Sequence, residues 1–386
     1  MKKNLVLIFS FLTIAFALYS QESPDNGVIR FTELNRPSIR KNIVIPDVNG
    51  YKVLKCDFHI HTVFSDGQVW PTVRMQEVWE EGLDAFSLTD HVEFQRHAPL
   101  VAIDNEKPHE LIAQRSQKEN VTLIKGAEIS RLTPPGHFNA IFIENTIPFI
   151  KERIEGNLEI DKKAIMEAAG QNAFIFWNHP GWRAEPIKGS YEWSSFLDDL
   201  VKNNALHGIE VFNGTGFHKK ALDWCIDNNL TVMGNTDIHN LVHFTYDTDK
   251  NYIHRTMTLV LANDKSPESI REALNSGRTV AWASKYLAGK EEHVKALFHA
   301  SVKLMPSHYT ELNENGEKTK YYELTNNSDL YFELELREGK GTKKITLYPQ
   351  SIALITARAG QTVLSYDVPT AFVRSDKCLK VSFDLK

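Results

Sequence analysis

Between residues 53 and 282 the chain repeats one pattern: a short apolar run, one or two polar residues, then an amphipathic stretch. Apolar runs at 53–58, 84–88, 121–128, 137–143, 173–177, 208–212, 231–234, 256–262 and 278–282 read as strands. Between them, 71–81, 109–120, 162–171, 192–203, 217–228 and 267–276 carry helical spacing, with Pro71 suited to a first helical turn. Parallel strands need crossovers of this kind, so the alternation predicts a parallel α/β sheet or barrel. In such folds the carboxyl ends of the strands collect the chemistry. Polar clusters fall at those ends: His59 and His61, Asp90 and His91, Glu128, His179, and Asp237 with His239.

His59 and His61 are one residue apart at a strand exit. Alternate side chains of an extended chain share a face, so both imidazoles point the same way. Asp66 follows in a Ser65-Asp66-Gly67 turn that can fold back on them. A lone pair of this kind is as often a hydrogen-bonded core pair as a metal grip; the partners at successive strand exits favour the metal. Imidazole and carboxylate donors without thiolates suit Zn²⁺, Mn²⁺ or Fe²⁺ rather than Ca²⁺. Two such ions bridged by a carboxylate bring the pKa of a shared water toward ~7 and neutralise phosphoryl oxygens. The expected reaction is hydroxide attack in line on phosphorus.

In order, His59-Ile60-His61, Ser65-Asp66-Gly67, Thr89-Asp90-His91, Gly126-Ala127-Glu128, Asn178-His179-Pro180-Gly181 and Asn235-Thr236-Asp237-Ile238-His239 resemble the polymerase and histidinol phosphatase (PHP) family over about residues 53–285. The resemblance implies a distorted (β/α)7 barrel holding two or three divalent ions. His59, His61, Glu128 and Asp237 would hold the first. Glu128 would bridge to a second, completed by His137 and His179. Asp66, His91 and His239 would hold a third. Asp66 stands where some members carry histidine. Asp237, or a histidine, would pass a proton to the leaving oxygen, and Arg183 or Arg255 would supply a cation to the phosphoryl group. Asn213 and Gly214, at a strand exit, are placed to contact substrate; Glu210 reads as structural. Trp182 and Phe217, near strand ends, suit either a substrate pocket or core packing.

After about residue 287 the texture changes to short strands separated by turns, at 296–304, 330–336, 344–348, 352–356, 362–366 and 379–385. Apolar and polar residues alternate in 330–336 and 379–385, as in half-buried antiparallel strands. Residues 290–386 therefore read as an immunoglobulin-like β-sandwich, more a structural appendage than a substrate contact. It is softly similar to the add-on domain of a secreted phosphodiesterase branch of the family. The catalytic part is 51–287, preceded by an extended lead-in at 21–50.

Lys2 and Lys3 followed by an apolar 5–18 form a secretory signal, with cleavage expected after Ser20. The mature protein is then exported, to a bacterial periplasm or beyond. The three cysteines, Cys56, Cys225 and Cys378, read as free buried thiols. A net charge of −5 and no basic stripe with interleaved aromatics turn the reading away from nucleic acid. The expected substrate is a small-molecule phosphoester, a diester ahead of a monoester of nucleotides or sugars. Metal-dependent amide or lactone hydrolysis, and a non-catalytic binding scaffold, are the competing classes. Neither the oligomeric state nor the metal is legible.

Overall fold

The computed structural model describes residues 31–34, 38–102, 104–131, 136–149, 151–180, 192–247 and 254–385. The signal segment, Trp182 and Arg183 lie outside them. Of a first compact unit ending at Ile39, the described residues contain one 3-10 turn, Thr32–Leu34; Arg40–Lys386 form a second, described below.

In chain order the elements are β1 (Lys52–Asp57), α1 (Pro71–Glu80), β2 (Ala85–Leu88), α2 (Lys107–Lys118), β3 (Thr122–Ile129), β4 (Phe138–Ile141), α3 (Leu158–Ala169), β5 (Phe174–Trp177), α4 (Ser195–Lys202), β6 (Gly208–Asn213), β7 (Gly216–Phe217), α5 (Lys219–Asp227), β8 (Thr231–Asn235), α6 (Val242–Thr245), β9 (Met257–Ala262), α7 (Pro267–Asn275), β10 (Thr279–Ala283), β11 (Tyr286–Gly289) and α8 (Glu291–Ser301). The C-terminal strands are β12 (Val302–Leu304), β13 (Tyr309–Leu312), β14 (Lys318–Asn326), β15 (Phe332–Glu338), β16 (Lys344–Leu347), β17 (Ser351–Arg358), β18 (Val363–Arg374) and β19 (Lys377–Asp384).

The expected parallel sheet is only partly parallel. β1, β2 and β3 run together, and so do β5, β6 and β8. β4 lies antiparallel between β3 and β5, and β9 antiparallel to β1. The reason is local. Only residues 130–137 separate β3 from β4, fewer than the dozen or so a crossover needs, so the chain returns as a hairpin.

The sheet curls until β8 meets β9 and β10. Threonine hydroxyls join them: Gly234 N donates to Thr258 Oγ1 (3.0 Å), Thr258 Oγ1 to Gly234 O (2.8 Å) and Thr279 Oγ1 to Val232 O (2.7 Å). A Cβ at Gly234 would stand 2.9 Å from Ala281 Cβ, so this closure needs glycine.

Fully buried strands fill the interior, as in β2, β5 and β9. α1 starts with Pro71, which gives up no needed N–H. In α3 the Asn157 side chain caps Ile160 N, and in α7 Ser266 caps Ser269 N ahead of Pro267.

The strand expected at 296–304 is mostly helix. Val294, Leu297, Phe298 and Ser301 are the buried residues of α8, at i, i+3, i+4 and i+7. Only Val302–Leu304 pair as strand, with β14. Beyond it, β16, β15, β18 and β19 make one sheet and β12, β14, β13 and β17 the other. The first joins the main sheet, because β18 pairs in parallel with β11 (Leu287 opposite Ala371, Ala288 opposite Phe372). All three cysteines are free; Cys56 and Cys225 are buried, whereas Cys378 is half-buried. No helix of the described residues is long and apolar enough to cross a membrane.

Candidate metal centre

The exits of β1, β2, β3, β5 and β8 converge on Glu128, at the end of β3. His59 Nε2 lies 3.1 Å from His61 Nε2, 3.4 Å from Glu128 Oε2 and 3.2 Å from Asp237 Oδ1. His61 Nε2 lies 3.2 Å from Glu128 Oε2 and 3.1 Å from Asp237 Oδ1. Ligand atoms about 2.1 Å from one ion at tetrahedral angles stand about 3.4 Å apart, so this spacing fits a cation at the centre.

The other side of each ring decides what those nitrogens can do. His59 Nδ1 donates to Glu210 Oε1 (2.8 Å). Ser65 Oγ donates to Asp90 Oδ1 (2.6 Å), leaving its lone pairs for His61 Nδ1 (3.3 Å). His239 Nδ1 donates to the Asp237 carbonyl (2.8 Å). Nδ1 of each ring is thus engaged outside the cluster, and Nε2 is the atom turned into it. Convergent lone pairs beside carboxylates repel one another unless protons or cations lie among them.

Four overlapping groups offer donor atoms within 4.8 Å of one another: His61, Asp66, His91 and His239; His59, His179 and Asp237; His59, His61 and Glu128; His91, Glu128 and His137. Together they comprise the nine expected ligands. The division differs from the expected one: His61 reaches into the Asp66 group, and His91 rather than His179 joins Glu128 and His137. His137 Nδ1 lies 2.8 Å from Glu128 Oε1, and His179 Nε2 lies 3.7 Å from the same oxygen. His239 Nε2 is 3.1 Å and His91 Nε2 3.4 Å from Asp66 Oδ1.

Burial and charge compete throughout. Burial opposes protonation of His91, but Glu128 and Asp66 beside it win and raise it to about 10. His59, His179 and His239 are likewise raised against burial by neighbouring carboxylates. For His137 burial prevails and the pKa falls to about 4. Asp66, Glu128 and Asp237 are held below the carboxylate range by the imidazoles, although burial pushes the other way. A cation takes over the role of those shared protons.

Backbone geometry aims the ligands. Asp237 and His179 have positive φ, 52° and 27°, a strained choice for non-glycine residues. Gly67 packs against His61, where a Cβ would come within 2.8 Å of backbone, and this lets the Asp66 turn fold over the site. Arg74 of α1 is buried and binds the carbonyls of His61 (2.9 Å), Ile238 (3.0 Å) and Asn240 (2.7 Å), so it clamps two ligand-bearing loops. His59, His61 and Glu128 form a floor with no exposure, while the Asp66, His137, Asp237 and His239 side chains keep some and form the mouth.

The chain as a whole has a solved counterpart. A two-domain protein containing predicted PHP-like metal-dependent phosphoesterase, from Bacteroides vulgatus, is 36% identical with a TM-score of 0.82, covering 90% of this chain and 99% of that one. The chain belongs to this PHP-like family. A family model described as an Ig-like domain matches residues 302–384. The uncharacterized protein MJ1295 of Methanocaldococcus jannaschii is 28% identical over 81 residues, 21% of this chain; the chain spans about a third (36%) of the length of that curated relative. An amidohydrolase from Chromobacterium violaceum is 14% identical over 49% of this chain and 88% of that one, with a TM-score of 0.35, too slight a likeness to bear on fold or function.

Two expectations of this PHP-type chain need restating. Arg255 does not face the cluster: its guanidinium binds Asp57 and the Thr236 hydroxyl and is 1% exposed. Asp57 also accepts from His59 N and Thr236 N, so Arg255 braces the loop ends carrying His59 and Asp237 from behind. Its place after the last ligand loop suggests a cation for the phosphoryl group, yet the chain turns it inward toward a buried carboxylate. Asn213 stands beside the ligands: its amide donates to Glu210 Oε2 (2.8 Å) and lies 3.5 Å from Asp237 Oδ2. Glu210, Asp57, Asp90 and Ser130 orient ligands and were not singled out for that role. The available signal was a lone acid inside an apolar strand, which is costly to bury unless paired.

Proposed function

We propose that this protein is an exported metal-dependent phosphodiesterase. The observation that carries the reading is the overlap of four donor groups through His59, His61, His91 and Glu128 beneath a partly open mouth. Bound divalent cations would acidify a water and neutralise charge on a phosphoryl group. The chain's own residues do the rest. His59, His61 and Glu128 fix the floor and Asp237 stands above them, with Glu128 placed to serve two groups through Oε1 and Oε2. Asp237 keeps a fifth of its side-chain surface exposed and, held ionised by the imidazoles, is placed to take a proton from the attacking water and pass it to the departing oxygen. Asn213 and Glu210 hold Asp237 and His59 in place. Export rests on Lys2, Lys3 and the apolar segment 5–18.

The test joins metal content, by mass spectrometry of protein purified without chelator, to hydrolysis of bis-p-nitrophenyl phosphate and p-nitrophenyl phosphate. The wild type should carry about two to three equivalents of Mn, Zn or Fe and prefer the diester. His59→Ala and Glu128→Ala should lose metal and activity together. A mature chain starting at Gln21 would support export. Failure to bind metal on reconstitution, or a faster rate on the monoester, would overturn the metal-dependent or the diester reading respectively.

A further inference from the structure

Next to the metal centre, at the same end of the sheet, is a cavity of about 520 Å³, within the range of small-molecule sites. Strand directions place it there. β9 is antiparallel to β1 and begins at the end where β1 delivers His59, and β10, antiparallel to β9, finishes at that end. The β6–β7 turn, the residues before β9 and the β10–β11 turn therefore rise beside the ligand loops. Gly214, in the cavity wall, follows Asn213 directly, and its N–H donates to the Asn235 carbonyl (3.0 Å), two residues before Asp237.

The lining is mostly apolar, and its far wall is aromatic. Phe217 and Phe372 rings are 4.9 Å apart between centroids, and Phe372 and Tyr286 rings 6.0 Å. Lys219, also in the lining, brings its ammonium group near Phe217 (6.0 Å), while Lys285, 5.5 Å from the Tyr286 ring, is paired with Glu333 (2.8 Å). Phe372 comes from the Ig-like segment, on β18 beside β11. A structural appendage need not contribute a side chain to a cavity beside the reacting centre.

We propose that this cavity is an ester-group subsite: it takes a planar aromatic substituent of the phosphodiester, of nucleobase or aryl type, while the phosphoryl group sits at the metal centre. This deepens the phosphodiesterase reading and rests on it. Aromatic faces accept flat rings of many identities, and Lys219 flanks Phe217 with positive charge. The Ig-like segment is thereby a specificity element, since it supplies one face of the stack.

The experiment compares kcat/KM of the metal-loaded full chain on bis-p-nitrophenyl phosphate and methyl p-nitrophenyl phosphate. Both release the same phenolate and differ only in the retained ester group. The wild type should favour the aryl ester, and Phe372→Ala should shrink that ratio about tenfold, the effect of one lost stack. Tyr286→Ala, at the exposed start of β11, should move the ratio the same way if Phe372→Ala fails to fold. An unchanged ratio in folded variants overturns the subsite and leaves the phosphodiesterase reading standing. If neither ester is cleaved, that reading fails, and binding decides the subsite by itself. Calorimetry with phenylphosphonate and methylphosphonate should then show tighter aryl binding that weakens in the variants; equal affinities overturn it.

Discussion

Glu210 shows what a single buried acid does for the centre. One oxygen accepts from His59 Nδ1 and Asn235 Nδ2, and the other from His179 N and Asn213 Nδ2. It fixes the His59 ring and ties three strand exits to one carboxylate. In Glu210→Gln the amide group must turn an N–H toward one pair of donors, and the negative charge that makes His59 a better ligand is lost. Such partners are typically worth 10–100-fold in metal affinity. We expect a loss of that size against a competing chelator, with a folded protein by circular dichroism; unchanged affinity would rule out the orienting role. Eight of the nine candidate ligands are legible because the motifs carry them, whereas His137 is placed by the family resemblance alone. Glu210 is not, because His59, His179 and Asn235, which it binds, lie 25 to 151 positions away along the chain. Arg255 misleads for a similar reason: sequence gives its neighbours along the chain, not the side toward which the loop turns it.

At the scale of elements, α2 is pinned to the sheet by a histidine that burial keeps neutral. His109 Nε2 lies 3.1 Å from the Leu88 carbonyl and 3.3 Å from Gly126 N, and Nδ1 has no hydrogen-bond partner among the described residues. Burial lowers its pKa to about 4, against about 6.5 for an exposed imidazole. Between these values the unfolded chain holds a proton that the folded chain refuses. The contribution is therefore full above about pH 6.5 and is lost as pH falls toward 4. From pH 7 to pH 5 this amounts to roughly 2 kcal/mol. Urea unfolding at the two pH values should show wild-type stability falling more steeply than that of His109→Gln; equal slopes would show that His109 does not control the acid limb. The helix itself is readable from its spacing, and so is α1. β4 is harder: an apolar run gives a strand but not its direction, which depended on the length of the connection. α8 was missed as a helix because its apolar residues run into those of β12, and a short apolar run fits either period.

Across the whole second unit, the family part and the Ig-like segment share one core. Leu259 and Trp282 from the main sheet, Leu297 and Phe298 from α8, and Phe332 and Phe383 from the C-terminal strands belong to a single buried cluster. Phe298 meets Phe332 edge-on at 5.0 Å, and β18 extends the main sheet through β11. From the opposite end of the unit, Val44 and Asp329 exchange hydrogen bonds. Composition and alternation gave two textures along the chain, and texture alone suggests two bodies joined by a linker. It does not reveal that the junction is a helix whose apolar face belongs to both. Cooperative unfolding should follow from this sharing. The full chain should show one calorimetric transition with matching calorimetric and van't Hoff enthalpies. A chain ending at Ser301 should be insoluble or lack a cooperative transition, since it leaves the α8 face uncovered and the β11 edge unpaired. Two separate transitions in the full chain, or a soluble, cooperatively folding truncation, would show that the shared core does not bind the parts into one folding unit. The same result would weaken the link between the Ig-like segment and the cavity, because Phe372 can hold a ring beside the metal centre only while β18 stays in register with β11.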